Sequence, residues 1–273
     1  MLKRQKTGSV LCPSCGKLVG VGDDACFHCG RPNPGMWGFA GVLRRMGGNL
    51  GFVPVVIYGC ALLYVATLIM DPQGIRMSGL SILSPSTRSL LAFGASGALP
   101  VFRLDRWWTV LSAGWLHGGL LHIAFNLLWI RQLAPAAATL YGASRAAIIY
   151  TVASVTGFLL STLCGIQLTV GASAPIFGLL GALVAYDRRT GSRQVGSQAL
   201  TYAAVLFVFG LLMPNVDNFA HLGGFAGGFV AGRVFNPLLP ERVGHTIGAL
   251  ACLGMTALSV IASVATSGIF FAR

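Results

Sequence analysis

Long apolar stretches separated by short polar segments make up most of the chain. The first ~50 residues are polar, basic and rich in glycine, and seven stretches then approach the roughly 20 residues that a helix needs to cross a hydrocarbon core. The stretches are residues 52–70, 112–133, 145–164, 172–187, 198–213, 219–235 and 246–268. This pattern predicts an all-α fold, a polytopic bundle of membrane helices in which the shorter stretches are surrounded by the longer ones.

Composition and charge support a membrane protein. Only 10% of the residues are charged and 55% are hydrophobic, whereas a soluble domain carries about 25% charged residues. No signal-peptide pattern precedes the apolar stretches, so we expect a cytoplasmic amino terminus. All but five of the 19 Lys and Arg residues then lie on the inner side, as the positive-inside rule requires. The five are Arg76, Arg88, Arg103, Arg106 and Arg273. Topology and anionic lipid thus explain the net charge of +12, and nucleic acid is not an expected partner.

Two CxxC pairs, each followed by glycine, precede the first apolar stretch: Cys12 with Cys15, and Cys26 with Cys29. Four thiolates satisfy tetrahedral zinc, and so short a segment needs such a ligand to fold. Two disulfides are the alternative, but the cytoplasm keeps thiols reduced. Because four cysteines close the coordination shell, His28 is not an expected ligand. The pattern predicts a structural zinc ribbon, which is also a candidate site for a cytoplasmic protein partner.

Polar residues lie near the start of three of the apolar stretches. His117, His122 and Asn126 belong to the second stretch, Ser173 to the fourth and His221 to the sixth. With a cytoplasmic amino terminus these three stretches all run inward, so the side chains share roughly the outer third of the membrane. Ionisable groups within membrane helices are costly and mark functional sites. We therefore expect these residues to form one site.

The residues around Ser173 suit a nucleophile. Pro175 disfavours helical backbone at Ala174 and is tolerated in a first helical turn, so Ser173 is expected where a helix begins. Unpaired backbone N–H groups and the positive end of the helix dipole stabilise an oxyanion there. Asn126 can donate to the same oxyanion, and His221 can accept the serine proton. Glycines with GxxxG spacing let the fourth and sixth stretches pack closely. They are Gly223/Gly227 and Gly224/Gly228.

Three segments of the chain resemble the rhomboid family of intramembrane serine proteases. They are residues 115–126 (WLHGGLLHIAFN), 171–173 (GAS) and 217–224 (DNFAHLGG). The resemblance extends over about residues 52–268 and implies a rhomboid-like six-helix core followed by one further helix. The domains expected from it are a zinc-ribbon-like module at 1–31, a linker at 32–51, the catalytic core at 52–235 and the seventh transmembrane helix at 236–273.

The resemblance also implies roles for single residues. Ser173 is the nucleophile and His221 the base of a Ser/His dyad that needs no cofactor. The oxyanion hole is formed by the Ser173 backbone N–H with the side chains of Asn126 and His122. Phe177, one turn after the serine, packs against the His221 ring.

Two positions depart from the family pattern. Ala174 follows the serine where the family often has glycine, and its small methyl group is expected to be tolerated. In the long loop before the second stretch, Arg106 precedes Trp107 and Trp108, whereas the family has tryptophan before arginine. This order leaves the anchoring of the loop open but does not affect the dyad.

Several roles stay open at this point. Asp217, four residues before His221, invites a triad; the alternative is that Asp217 or Asn218 caps the sixth helix, and we favour the cap. His117 either orients His122 or has a structural role in the neighbouring loop, and we favour the structural role. Gly171 is expected to support the turn that carries Ser173.

The function expected is an intramembrane serine endopeptidase that cleaves peptide bonds in or next to transmembrane helices of membrane-protein substrates. The alternative is a non-catalytic rhomboid-like protein that binds membrane clients. A transporter is a weaker hypothesis, because the polar residues offer no route through the inner half of the membrane. The expected location is a bacterial inner membrane. The protein is multi-pass, with the active site near the outer face and with lipid and transmembrane substrates as partners.

Overall fold

The computed structural model describes residues 4–48, 51–79, 81–213 and 215–270. Its helices are α1 (Ala40–Gly48), α2 (Phe52–Met70), α3 (Thr87–Phe93), α4 (Thr109–Ser112), α5 (Leu120–Tyr141), α6 (Ala143–Leu163), α7 (Ser173–Thr190), α8 (Gln194–Leu212), α9 (Asn218–Val234) and α10 (Val243–Ala265). Its strands form two antiparallel pairs, β1 (Ser9–Leu11) with β2 (Leu18–Gly20) and β3 (Arg76–Ser78) with β4 (Ser81–Ser84). The outer position expected for Arg273 lies outside the described residues.

The all-α bundle is confirmed, since seven long helices among the described residues correspond to the seven apolar stretches. Within the described residues, α2, α6, α8 and α10 are each long and apolar enough to cross a membrane unaided. The other three, α5, α7 and α9, carry the polar site residues. Helix α7 is buried over most of its length and contacts α5, α6, α8 and α9. A helix enclosed in this way needs no uniformly apolar surface, because its neighbours and not lipid cover it.

The second stretch begins later than predicted. We expected a helix over 112–133, but α5 starts at Leu120 and ends at Tyr141. The backbone is extended at Gly119, and residues before it form α4 and a 3₁₀ turn. Helix α5 continues through Pro135, because neighbouring helices can compensate for a lost hydrogen bond in a membrane bundle. His117 therefore lies in the turn before the helix and not in its first part.

The segment predicted as a linker, residues 32–51, contains secondary structure. A 3₁₀ turn at Met36–Gly38 leads into α1, and α1 contacts both α6 and α10. The amino-terminal module is thus connected to the bundle by a packed helix. The domain boundaries themselves stay predictions.

One glycine pair on α9 faces α7. A Cβ atom at Gly224 would overlap the carbonyl oxygen of Ala174, and one at Gly228 would overlap the carbonyl of Gly178. The two helix backbones are therefore in direct contact, which only glycine allows. This close approach brings the start of α7 next to the start of α9.

The second glycine pair on α9 faces α6. A Cβ atom at Gly223 would lie 2.7 Å from the carbonyl oxygen of Thr156, and one at Gly227 would overlap the Thr156 hydroxyl. That hydroxyl donates to the Gly223 carbonyl at 2.9 Å. The two GxxxG spacings therefore serve two different neighbours, and α9 packs closely on both sides.

Arg106 anchors the long loop before α5 to the last helix. Its guanidinium donates to the carbonyls of Leu91 and Ser263, both at 2.6 Å, and lies over the rings of Trp108 and Phe270. Leu91 and Ser263 lie in the last turns of α3 and α10, where carbonyls lack helical partners and the dipole is negative. The buried cation is thus stabilised by two helix C-termini at once.

Serines extend this connection. The Ser259 hydroxyl donates to the Trp108 carbonyl at 2.7 Å and lies 3.0 Å from the Ser112 hydroxyl, which donates to Gly94 O at 2.8 Å. The Trp108 indole N–H donates to Ser263 Oγ at 3.0 Å. The arginine-before-tryptophan order therefore has a structural role here: it binds the loop to α10.

Candidate active site and cysteine cluster

The turn before α7 exposes Ser173 at the first residue of that helix. Gly171 has φ of 135°, which strongly favours glycine, and its N–H donates to the Ala113 carbonyl at 3.0 Å. Pro175 occupies the first helical turn, as expected. The backbone N–H groups at this end have no intrahelical partners, so Ser173 sits where a negative charge is favoured.

His221 lies in the first turn of α9, directly opposite Ser173. Its Nε2 is 2.9 Å from Ser173 Oγ, and its ring is stacked on Phe177 with centroids 4.2 Å apart and planes 11° from parallel. Only 5% of the His221 surface is exposed. The structure thus brings together the two residues chosen from the sequence and orients the imidazole by stacking.

The other ring nitrogen of His221 faces an amide. Its Nδ1 is 3.1 Å from Asn218 Oδ1, one helical turn earlier on the same face of α9. Sequence reasoning considered Asn218 only as a cap. The spacing of three residues is the signal that could have identified this contact.

Asp217 caps α9 and does not face the imidazole. One carboxylate oxygen accepts from the Ala220 N–H at 3.0 Å, and the other accepts from the Ser161 hydroxyl. Within the described residues no side-chain hydrogen bond joins Asp217 to His221. Of the two interpretations left open, the geometry agrees with the cap.

His122 and Asn126 lie on the first turns of α5, beside Gly171. The Gly118 N–H donates to His122 Nδ1 at 3.2 Å, so the His122 proton resides on Nε2 when the ring is neutral. A Cβ atom at Gly171 would lie 2.7 Å from that Nε2 and 3.7 Å from Ser173 Oγ. A side chain at this position would collide with the His122 ring, so glycine is what lets His122 Nε2 approach the turn that carries Ser173.

Asn126 is buried one helical turn after His122. Its side-chain nitrogen donates to the His122 carbonyl at 2.8 Å, which holds the amide in place. Among the described residues its second N–H makes no other hydrogen bond, so it can donate to another acceptor. His117 lies behind His122, with ring centroids 5.3 Å apart in an edge-to-face arrangement. It is fully buried, and neither ring nitrogen has a hydrogen-bond partner within the described part of the chain.

The alanine after the serine is accommodated by a glycine on α6. The Ala174 side chain is buried, and a Cβ atom at Gly157 would lie 2.9 Å from the Ala174 methyl group. The methyl group therefore occupies space that a larger residue on α6 would fill. The methyl group expected to be tolerated after Ser173 is thus buried against Gly157.

The four amino-terminal cysteines form one cluster. Their sulfur atoms all lie within 4.8 Å of one another, with Cys12 to Cys29 and Cys15 to Cys26 both at 3.7 Å. A zinc ion with Zn–S bonds of about 2.3 Å separates its ligands by about 3.8 Å, so the cluster fits a tetrahedral ion. These distances are too long for disulfides, whose sulfurs are about 2.05 Å apart.

One thiol of the cluster is already acidic without a metal. Burial raises the pKa of the Cys26 thiol, but hydrogen bonds to the backbone at His28 and Cys29 and to neighbouring thiols outweigh it and lower the pKa to about 7. A partly ionised thiol at neutral pH favours metal binding.

Comparison with known proteins agrees with this arrangement. Residues 104–238 match the family model of the rhomboid domain. The chain carries a rhomboid domain. Three similar proteins are Rhomboid protease GluP from Bacillus subtilis (strain 168), 33% identical over 180 residues, and RHOMBOID-like proteins 4 and 1 from Arabidopsis thaliana, 34% identical over 158 residues and 32% over 160.

The matches cover 65%, 56% and 56% of this chain but only 35%, 40% and 41% of those relatives. The rhomboid domain includes Ser173, His221 and the oxyanion candidates, and it excludes the cysteine cluster. Rhomboid proteins are integral membrane proteins, in agreement with the four apolar helices found here.

Proposed function

We propose that this rhomboid domain is an intramembrane serine endopeptidase. The observation that carries the proposal is the 2.9 Å separation between Ser173 Oγ and His221 Nε2 at the helix starts, next to backbone and side-chain donors. A serine hydroxyl is a weak nucleophile unless a base accepts its proton, and the stacked imidazole supplies that base. The similarity to a named protease supports the same chemistry.

The proposed reaction uses only side chains and backbone of this chain. Ser173 Oγ attacks the scissile carbonyl carbon while His221 Nε2 accepts the hydroxyl proton. The carbonyl oxygen becomes an oxyanion, which accepts hydrogen bonds from the Ser173 N–H, His122 Nε2–H and the Asn126 amide. The C–N bond then breaks, and the imidazolium passes its proton to the leaving amine. Water, activated by the same imidazole, hydrolyses the acyl-enzyme and regenerates Ser173.

The proposed substrates are membrane proteins cut in or beside a transmembrane helix. In an intact helix the carbonyls are hydrogen-bonded and shielded by side chains, so attack requires local unwinding. The proposed orientation has the amino terminus in the cytoplasm of a bacterial cell and Ser173 near the outer face of its inner membrane, by the positive-inside rule.

A fluorophosphonate probe tests the nucleophile directly. We expect purified protein in detergent to be labelled on Ser173, because the probe reacts only with a serine whose proton is accepted by a base. Labelling is expected to disappear in Ser173→Ala and to be slowed at least about 100-fold in His221→Ala. The exposed Ser197 on α8 offers a matched control, and Ser197→Ala is expected to label like the wild type. A folded protein without labelling would instead support the non-catalytic client-binding alternative.

For the cysteine cluster we propose a structural zinc site in the amino-terminal module. Four thiolates leave no open coordination position, so the ion has no part in peptide hydrolysis. The small core around Val10 and Val19 includes Cys12 and Cys26, so metal binding and folding of the module are coupled.

Elemental analysis tests the zinc proposal. Protein never exposed to chelator is expected to contain about one zinc per chain, and the double variant Cys12→Ser/Cys26→Ser is expected to contain none. Cys164→Ser, which changes an exposed cysteine after α6, is the control and is expected to retain the metal. Absence of metal from the wild type, or its retention in the double variant, would refute the site.

A further inference from the structure

Asn218 is placed to control the orientation of His221. It is the first residue of α9, three positions before the histidine, so both side chains lie on one helix face. The Asn218 amide oxygen is 3.1 Å from His221 Nδ1, while Nε2 of the same ring is 2.9 Å from Ser173 Oγ. The imidazole is therefore held between two polar atoms, one at each nitrogen.

The chemistry of the amide decides which nitrogen carries the proton. An amide oxygen only accepts hydrogen bonds, so it selects the neutral tautomer with the proton on Nδ1. The lone pair of Nε2 then points at the Ser173 hydroxyl. This is the tautomer that a general base needs, since the other one would direct N–H toward the serine.

Helix α8 packs closely against the Asn218 amide. Gly210 on α8 faces Asn218, and a Cβ atom there would lie 2.5 Å from the Asn218 side-chain oxygen. Asp217 cannot take the place of the amide, because its oxygens bind the Ala220 N–H and the Ser161 hydroxyl. The contact with His221 Nδ1 is thus made by Asn218 and not by the neighbouring carboxylate.

We propose that Asn218 is a positioning residue that accepts a hydrogen bond from His221 Nδ1–H and so selects the base form of the imidazole. The proposal rests on the proposed function, because it assigns a partner to the base of that reaction. Asn218 itself touches neither the substrate nor the reacting serine.

Among the described residues, few charged groups lie near the His221 ring. Ser173 on α7 contacts the ring through its hydroxyl. The ionisable groups nearby are His122 on α5 and Asp217 at the start of α9, whose carboxylate is directed at the Ala220 N–H and the Ser161 hydroxyl and not at the ring. Helices α6 and α8 pack on this end of α9 through Gly157 and Gly210, which carry no charge. A carboxylate at position 218 would therefore be a new charge in direct contact with the ring.

The experiment compares two substitutions that separate shape from charge. Asn218→Ala removes the acceptor, and kcat for a reporter transmembrane substrate is expected to fall about 10- to 100-fold with KM changed by less than about twofold. Asn218→Asp keeps an acceptor of the same shape and adds a negative charge. That charge favours the imidazolium, so the acid limb of the kcat/KM profile is expected to move up by about one pH unit. Asn236→Ala, just beyond the other end of α9, is the matched control and is expected to change neither quantity.

The outcomes are distinct. A purely structural role would lower the melting temperature of both variants and leave the acid limb of Asn218→Asp unchanged, and that result would overturn the inference. A kcat equal to that of the wild type in Asn218→Ala would also overturn the inference. If the wild type itself failed to cleave, or if Ser173→Ala cleaved equally well, the proposed function would fail before Asn218 was tested.

Discussion

Ser173→Ala is expected to lower the cleavage rate of a transmembrane substrate by at least about 10³-fold without changing the fold. The substitution deletes one oxygen atom, and with it the acyl-enzyme route. The alanine side chain fits the same position at the start of α7, since Ser173 Oγ contacts only His221 among the hydrogen bonds of the described residues. The remaining donors can polarise a carbonyl but supply no nucleophile.

Single-turnover cleavage in proteoliposomes measures this effect, with the melting temperature recorded in parallel. Ser197→Ala again serves as the control for loss of a serine hydroxyl. Cleavage by Ser173→Ala at the wild-type rate would contradict the proposed mechanism. Loss of cleavage in both serine variants would indicate a folding defect and not a catalytic one.

Gly228→Ala is expected to destabilise the bundle by about 3 kcal/mol or more, although it adds a single methyl group. The methyl group would overlap the Gly178 backbone, where no side chain can rotate away. Helices α7 and α9 would have to separate, and because Ser173 and His221 lie on these two helices, their contact would lengthen. Peptidase activity is therefore expected to fall together with stability.

Gly254→Ala on α10 is the matched control. A Cβ atom there meets nothing within 4 Å, so the methyl group has no steric cost. Because alanine favours helix over glycine by about 1 kcal/mol, this variant is expected to be as stable as the wild type or more stable. The two substitutions are chemically identical, but their expected effects on stability have opposite signs. Thermal unfolding in one detergent measures both, and equal shifts would contradict direct backbone contact between α7 and α9.

Much of the fold could be predicted because the membrane acts as a uniform solvent. A helix in lipid must satisfy its own backbone, so an apolar stretch of sufficient length already implies a spanning helix. The exception was the second stretch, where hydropathy did not reveal that residues 112–119 form short turns before α5. Local polar contacts decide such boundaries. Examples are the hydrogen bond from the Ser112 hydroxyl to the Gly94 carbonyl and that from the Gly118 N–H to His122.

The sequence by itself determined the number of long helices, the polar residues at their starts, the four-cysteine cluster and the candidate nucleophile and base. Each of these depends on residue type or short spacing, which local patterns contain. Only the tertiary structure decided that Asn218 and not Asp217 faces His221, that Gly157 accommodates Ala174, and that Arg106 binds two helix ends. These contacts join residues on different helices or choose between neighbouring side chains. The three-residue spacing makes the Asn218 contact possible, but the other partners are set by how the helices pack, which no local pattern in the chain encodes.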